Sequence, residues 1–282
     1  MSTRRNFIGT SLAGMAALTL LPAVNSFANT GNGYLREPKS KFKLRFALVS
    51  DIHYGQPGTD FAANTGNMVK WLNQDHDKNH LDMVIINGDL VHNCPDLLPE
   101  IKSRYFDKLS VPYHTIPGNH DFADASVWKN NFGYEDKYTV EFGDIGFVLA
   151  NTADTKGTYI CPDNVFIKAA LDKFADKKIV LVVLHIPPIN WNKNDVFVDC
   201  PETIDLLHRY PNVKAAFHGH DHLLDGVRYT GNKFPHFFDS HIGGNWGTNY
   251  KGYRIVEIDE QNAIYTYQVN ASQNPVLNSN KF

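Results

Sequence analysis

Five short apolar runs in this chain each end on a residue that can ligate a cation, and this pattern constrains the fold more than any other. Lys41–Ser50, which becomes fully apolar toward its end, is followed by Asp51-Ile52-His53, and Asp82–Asn87 by Gly88-Asp89. Val111–Ile116 leads to Gly118-Asn119-His120-Asp121, the run IVLVVL at 179–184 to His185, and VKAAF at 213–217 to His218-Gly219-His220-Asp221-His222. Fully apolar runs of this length read as strands buried on both faces. Ligands of α/β sheets collect at the carboxyl ends of such strands. A fold that brings these five ends together gathers carboxylates and imidazoles at one place.

The segments between them supply the rest of the pattern. Helices are expected at Asp60–Asn73, where Met68 and Leu72 share a face, and at Leu97–Leu109. Strand, helix, strand, helix, strand over 41–116 argues for parallel crossover units. Tyr138–Phe142 and Ile145–Asn151 flank Gly143-Asp144 and read as a hairpin. Helices follow at Asn164–Phe174 and Glu202–His208. Mostly β patterns come after them, at Gly226–Tyr229, Phe234–Asp239, Tyr253–Ile258 and Ala263–Val269. The interior shows no repeat, low-complexity tract or linker, so residues 41–270 read as one domain, with loose segments at 29–40 and 271–282.

Each motif also has a structural reading. Gly-Asp is a common turn dipeptide; a histidine ending an apolar strand is often a satisfied core residue. The structural readings must hold at five strand ends in succession. The i, i+2 spacing of Asp51/His53 and His220/His222 lets both side chains of each pair point the same way from extended backbone. Glycines ahead of the clusters let the chain turn tightly.

Taken in order, Asp51-x-His53, Gly88-Asp89, Gly118-Asn119-His120-Asp121, His185 and Gly219-His220-x-His222 resemble the signature of the calcineurin-like metallophosphoesterase superfamily. The resemblance covers about residues 45–225. It implies a four-layer α/β/β/α sandwich of two mixed sheets flanked by helices. It also implies two divalent ions (Mn, Fe or Zn), one held by Asp51, His53 and His222, the other by Asn119, His185 and His220, with Asp89 bridging. Two such ions can clamp the attacking and leaving oxygens of a displacement at phosphorus and activate water near neutral pH. The implied protein is therefore a hydrolase of small phosphate esters, with His120 assisting the leaving group. Asp121 is placed beside His120 in the catalytic machinery, and Asp121 and Asp221 are candidates to orient imidazoles. His218 is left to a structural or supporting role.

Departures from the signature narrow the reading. Purple acid phosphatases carry a tyrosine where this chain has His92. Protein Ser/Thr phosphatases show Asp-Arg-Gly where it has His92-Asn93-Cys94. A histidine there is compatible with bacterial phosphodiesterases, so monoesters, diesters, cyclic nucleotides and pyrophosphates all stay open. A non-catalytic protein binding a phosphate ligand is the alternative from another class. Asn190, Trp191, His241, Asn245 and Trp246 are candidate substrate contacts, Trp246 by stacking on a base or sugar. Each could equally be a buried or turn residue.

The first 28 residues read as an export signal. Arg4 and Arg5 precede an uncharged stretch from Phe7 to Val24, and Ser26-Phe27-Ala28 fits a cleavage site. The pair Arg4-Arg5 resembles a twin-arginine signal, which would send a folded bacterial protein to the periplasm or outside the cell. An uncleaved membrane anchor is the alternative; after cleavage no stable span is expected. A formal charge of −3 argues against a non-specific nucleic-acid binder, and the 43% hydrophobic content against wholesale disorder. Of the three cysteines, Cys161 and Cys200 precede prolines in loop-like sequence and are the better candidates for a disulfide, leaving Cys94 free.

Overall fold

The computed structural model describes residues 42–191, 196–273 and 275–282; the expected signal (1–28) and the segment 29–40 lie outside them. Two six-stranded mixed sheets carry the fold. The first runs β12-β11-β10-β1-β2-β3, from β1 (Phe42–Val49), β2 (Met83–Asn87), β3 (Tyr113–Ile116), β10 (Gly252–Asp259), β11 (Ile264–Asn270) and β12 (Val276–Lys281). The second runs β4-β5-β6-β7-β9-β8, from β4 (Tyr138–Phe142), β5 (Ile145–Ala150), β6 (Ile179–Leu184), β7 (Val213–His218), β8 (Val227–Thr230) and β9 (Phe234–Phe238). β1, β2 and β3 are mutually parallel, as are β5, β6, β7 and β9, while the remaining pairings are antiparallel.

Alternate residues of each central strand serve different cores. Phe46 and Leu48 of β1 point between the sheets toward Phe147 and Leu149 of β5, Leu181 and Val183 of β6, and Phe217. Ala47 and Val49 point the other way, into a core with Met68, Leu72, Ile101, Phe106 and Trp128. On the far side, Val148, Val180 and Val182 pack against Ile167, Leu171 and Leu207. The helices are α1 (Phe61–Asn79), α2 (Leu98–Arg104) and α3 (Ala125–Phe132) over the first sheet, and α4 (Asn164–Lys173) and α5 (Pro201–His208) over the second. The layers are therefore helix, sheet, sheet, helix, the arrangement that the sequence implied. Strands buried on both faces have no polar face to show, which is why they read as unbroken apolar runs.

Three readings are corrected. The helix expected over 97–109 is shorter, with 3₁₀ turns on either side and an end at Tyr105. Helix α3 was not anticipated, although its Asp124 side chain caps the Ser126 and Val127 N–H groups and Gly133 closes its other end at φ 84°. Residues 276–281, expected in a loose end, form an edge strand on β11. Its side chains are mostly exposed and polar, so backbone pairing makes the strand and no apolar alternation announces it. Cys161 and Cys200 form a disulfide, and Cys94 is free. Among the described residues no helix is long and apolar enough to cross a membrane.

Candidate metal centre

The loops that leave β1, β2, β3, β6 and β7 meet at one edge of the sandwich. The β1 loop is laced to the β2 loop by backbone bonds from Asp51 N–H to Gly88 O (3.1 Å) and from Ile52 and His53 N–H to Asp89 O (2.9 Å each). The β7 loop joins the β6 loop through Gly219 N–H to His185 O (3.1 Å). Two carboxylates complete the lacing. Asp51 Oδ2 accepts the His220 N–H at 2.9 Å, and Asp89 Oδ1 accepts the His120 N–H at 2.8 Å. Each acid thus spends one oxygen on a neighbouring loop and turns the other inward.

Asp51 Oδ1 lies 3.0 Å from His222 Nε2 and 3.8 Å from the Nε2 atoms of His53 and His185. Asp89 Oδ2 lies 3.3 Å from His185 Nε2 and 3.6 Å from His53 Nε2, between the two imidazoles. The Nε2 atoms of His53 and His222 face each other at 3.1 Å. Asp51, His53, Asp89, Asn119, His185, His220 and His222 are all buried. The i, i+2 argument from extended backbone does not describe this convergence, because Asp51, His53, Asp89 and His220 adopt φ of 57°, 47°, 53° and 65°. Side chains rarely occupy that left-handed region, and strain of this kind concentrates where a site demands it.

These donors suit divalent cations, on two observations. Buried Asn119 Oδ1 and His220 Nε2 have no hydrogen-bond partner, a costly state that a cation would relieve. Asp51/His53/His222 and Asp89/His185/His220 each place three ligand atoms within 4.8 Å of one another. Mixed imidazole and carboxylate donors match transition-metal ions better than calcium. Burial pushes His53 down to about 3 and His220 down to about 4, so both rings are neutral and have a lone pair to give. Burial opposes charge on His185 too, but the Asp89 and Asp51 carboxylates prevail and hold it up at about 9. In return the imidazoles hold both carboxyls below their usual range, against the pull of burial.

The remaining candidates separate into groups at the centre and groups elsewhere. His120 is half-buried, and its Nδ1 pairs with Asn93 Oδ1 at 2.7 Å, which leaves Nε2 for a substrate. Trp246 is 42% exposed and stacks on His222 at 4.5 Å and 7°. Asn245 is exposed beside it, in contact with Gln56. Asp121 is fully buried and accepts the Gly118 and Val91 N–H groups at 2.7 and 2.9 Å, so it braces the β3 loop. Asp221 accepts the Leu223 N–H within its own turn. His241 is buried against the second face of His222 (4.8 Å, 21°) and is closed to a substrate. Trp191 donates its indole N–H to Tyr229 O and packs on His236 and Phe238, contacts that draw it into the second sheet. Asn190 lines a small recess with Trp191 and Asp221. His218 bonds Leu184 O and His236 and is structural. Sequence reasoning passed over His92 and Asn93 as site residues. His92 Nδ1 lies 3.0 Å from His53 Nδ1, and its ring stacks on His120.

A two-sheet sandwich with paired acid and imidazole clusters between its strand ends defines a class of dinuclear phosphoesterases. Residues 44–224 match the calcineurin-like phosphoesterase family, and the chain belongs to it. That family comprises metal-dependent hydrolases of phosphate esters, and it is dimetal-dependent. Among its relatives, a 3′,5′-cyclic-nucleotide phosphodiesterase of Nostoc sp. is 26% identical over 154 residues, 50% of this chain and 56% of the relative. A probable glycerophosphodiester phosphodiesterase of Arcobacter nitrofigilis is 26% identical over 159 residues, 51% of this chain and 57% of the relative. The chain thus spans little more than half the length of either. A dimetal phosphatase from Danio rerio shares the fold, with a TM-score of 0.68 over 85% of this chain and 98% of that one, at 14% identity.

Proposed function

We propose that the chain is an exported phosphodiesterase. Asp51, His53 and His222 would hold one ion and Asn119, His185 and His220 the other, with Asp89 close enough to serve both. The observation that carries this reading is the pair of clusters Asp51/His53/His222 and Asp89/His185/His220, each with three buried ligand atoms within 4.8 Å of one another, together with the buried, unbonded Oδ1 of Asn119. Ions bound there supply Lewis acidity and an activated water for attack at phosphorus. The chain's own residues do the rest. Asp51 and Asp89 fix the His220 and His120 backbones, so the loops do not drift apart. His120, its Nδ1–H held by Asn93 Oδ1, presents Nε2 to the leaving oxygen and, as the doubly protonated imidazolium, delivers the Nε2 proton to it. The open face of Trp246 is a wall for a planar group. The names of the Nostoc and Arcobacter relatives support a diester substrate. The Arg4-Arg5 segment supports export, and the Cys161–Cys200 disulfide suits an oxidising compartment.

The test is a metal-free chain reloaded separately with Mn, Fe, Zn or Mg. It is assayed on p-nitrophenyl phosphate, bis-p-nitrophenyl phosphate, a 3′,5′-cyclic nucleotide and a glycerophosphodiester. Turnover of diesters over the monoester with two ions per chain is expected, and loss of both ions in Asp89→Asn. Two bound ions with no ester hydrolysed would instead make the chain a phosphate-ligand binding protein. Export is tested by following the full chain in cells with and without a twin-arginine translocase.

A further inference from the structure

A histidine can ligate a cation only through an unprotonated nitrogen, so its other ring nitrogen carries the proton and needs an acceptor. Two imidazoles of the centre use backbone carbonyls. His185 Nδ1–H donates to Asn87 O at 2.6 Å, and His222 Nδ1–H to Trp246 O at 3.3 Å. His53 departs from this rule, because its Nδ1 faces the Nδ1 of His92 at 3.0 Å. Two ring nitrogens at that distance share one proton, with one donating and the other accepting. Between His53 Nε2 and His222 Nε2, 3.1 Å apart and facing Asp51 and Asp89, the ion would take the place of a shared proton, which leaves the His53 proton on Nδ1. His92 Nδ1 is then the acceptor, and the proton of His92 lies on its Nε2.

We propose that His92 is a positioning residue that fixes the tautomer and ring orientation of His53, and thereby sets the affinity of the ion held by Asp51, His53 and His222. The inference rests on the reading of those three residues as ligands. The acceptor is itself well held. The His92 N–H donates to Tyr54 O at 2.9 Å, the Asn93 N–H to His120 O at 2.8 Å, and the His92 ring lies on His120 at 4.7 Å and 14°. A neutral imidazole draws on the Nδ1 proton less strongly than a carboxylate does, so it leaves His53 a weaker donor to the metal. It is also a side chain, unlike the carbonyls behind His185 and His222. A substitution at position 92 therefore alters one ion site and spares the other.

Mn²⁺ titration of the full chain, by calorimetry and by electron paramagnetic resonance, tests this in His92→Leu and His92→Asn. Leucine removes the acceptor, and asparagine puts Oδ1 where Nδ1 was. The leucine variant is expected to weaken one of the two sites by about 10–100-fold, with the asparagine variant recovering most of the loss. Unchanged affinity in the leucine variant would overturn the proposal. So would equal weakening of both sites, or an asparagine variant as weak as leucine. A wild-type chain that binds no Mn²⁺ would instead sink the ligand reading on which the proposal rests. Long-range ¹H–¹⁵N spectra of the Zn²⁺-loaded wild type provide a second measurement that requires no variant to fold. They should place the His53 proton on Nδ1 and the His92 proton on Nε2; a proton on His92 Nδ1 would overturn the proposal.

Discussion

Gly88 is the residue at which backbone and metal centre can be disturbed by a single methyl group. It sits at φ +81°, and a Cβ built there falls on His185 Nδ1 and Cγ and lies 2.8 Å from His185 Cβ. Alanine in the left-handed region costs about 1–2 kcal/mol. Restoring van der Waals contact moves the imidazole by about 1 Å, at an overpacking cost of roughly 1–3 kcal/mol. It also breaks the Nδ1–H bond to Asn87 O, worth about 1 kcal/mol net. Gly88→Ala is therefore expected to lose about 3–6 kcal/mol of stability in urea denaturation of the metal-free protein. One of the two bound ions should be lost as well, because His185 Nε2 leaves its place. Gly58→Ala is the control. It sits at φ +75° with nothing within 4 Å of the added Cβ, so it should show the backbone cost alone and keep both ions. A Gly88→Ala protein within 1 kcal/mol of wild type that still binds two ions would refute the reasoning.

Other outcomes are expected from the same geometry. His120→Ala should lower kcat by about 10²–10⁴-fold with metal content unchanged, and Asn93→Ala should lower it by less; loss of metal in either variant would move His120 from proton donor to ligand. His185, held up at about 9, must give up a proton to ligate through Nε2. Affinity for that ion should therefore rise about tenfold per pH unit from 7 to 9 and flatten above it, whereas a pH-independent Mn²⁺ affinity would contradict the assignment. Replacing Cys161 and Cys200 with serine opens a link between residues 39 apart and should remove about 2–4 kcal/mol in chemical denaturation; no change would show that the pairing adds nothing to stability.

The central strands were legible because their two faces meet two cores, and IVLVVL leaves little else to be inferred. The polar residues that follow them were legible as types and spacings. Their backbone conformation was not: nothing in Asp51-Ile52-His53 announces that both outer residues turn left-handed. Burial separated the other site candidates. Trp246 and His241 sit five residues apart in one glycine-rich loop, yet one is open and the other sealed behind His222. Asp121 reads in the sequence as a catalytic group that orients an imidazole. Its carboxylate instead meets two backbone amides brought close only by the loop's curl. His92 lies 39 residues from His53, and no local pattern links them.

Four planes would line up when a planar group rests on Trp246: the ligand, the indole, His222 and His241. The second plane is half open to solvent, and the third is an imidazole of the centre. A base docking on the indole therefore presses on the ring that faces Asp51, and a lost ion frees that ring to shift beneath the base. On the proposed reading, selection at position 246 for a new leaving group would also touch metal retention. The choice of ester and the hold on the ion would then share one stack of rings.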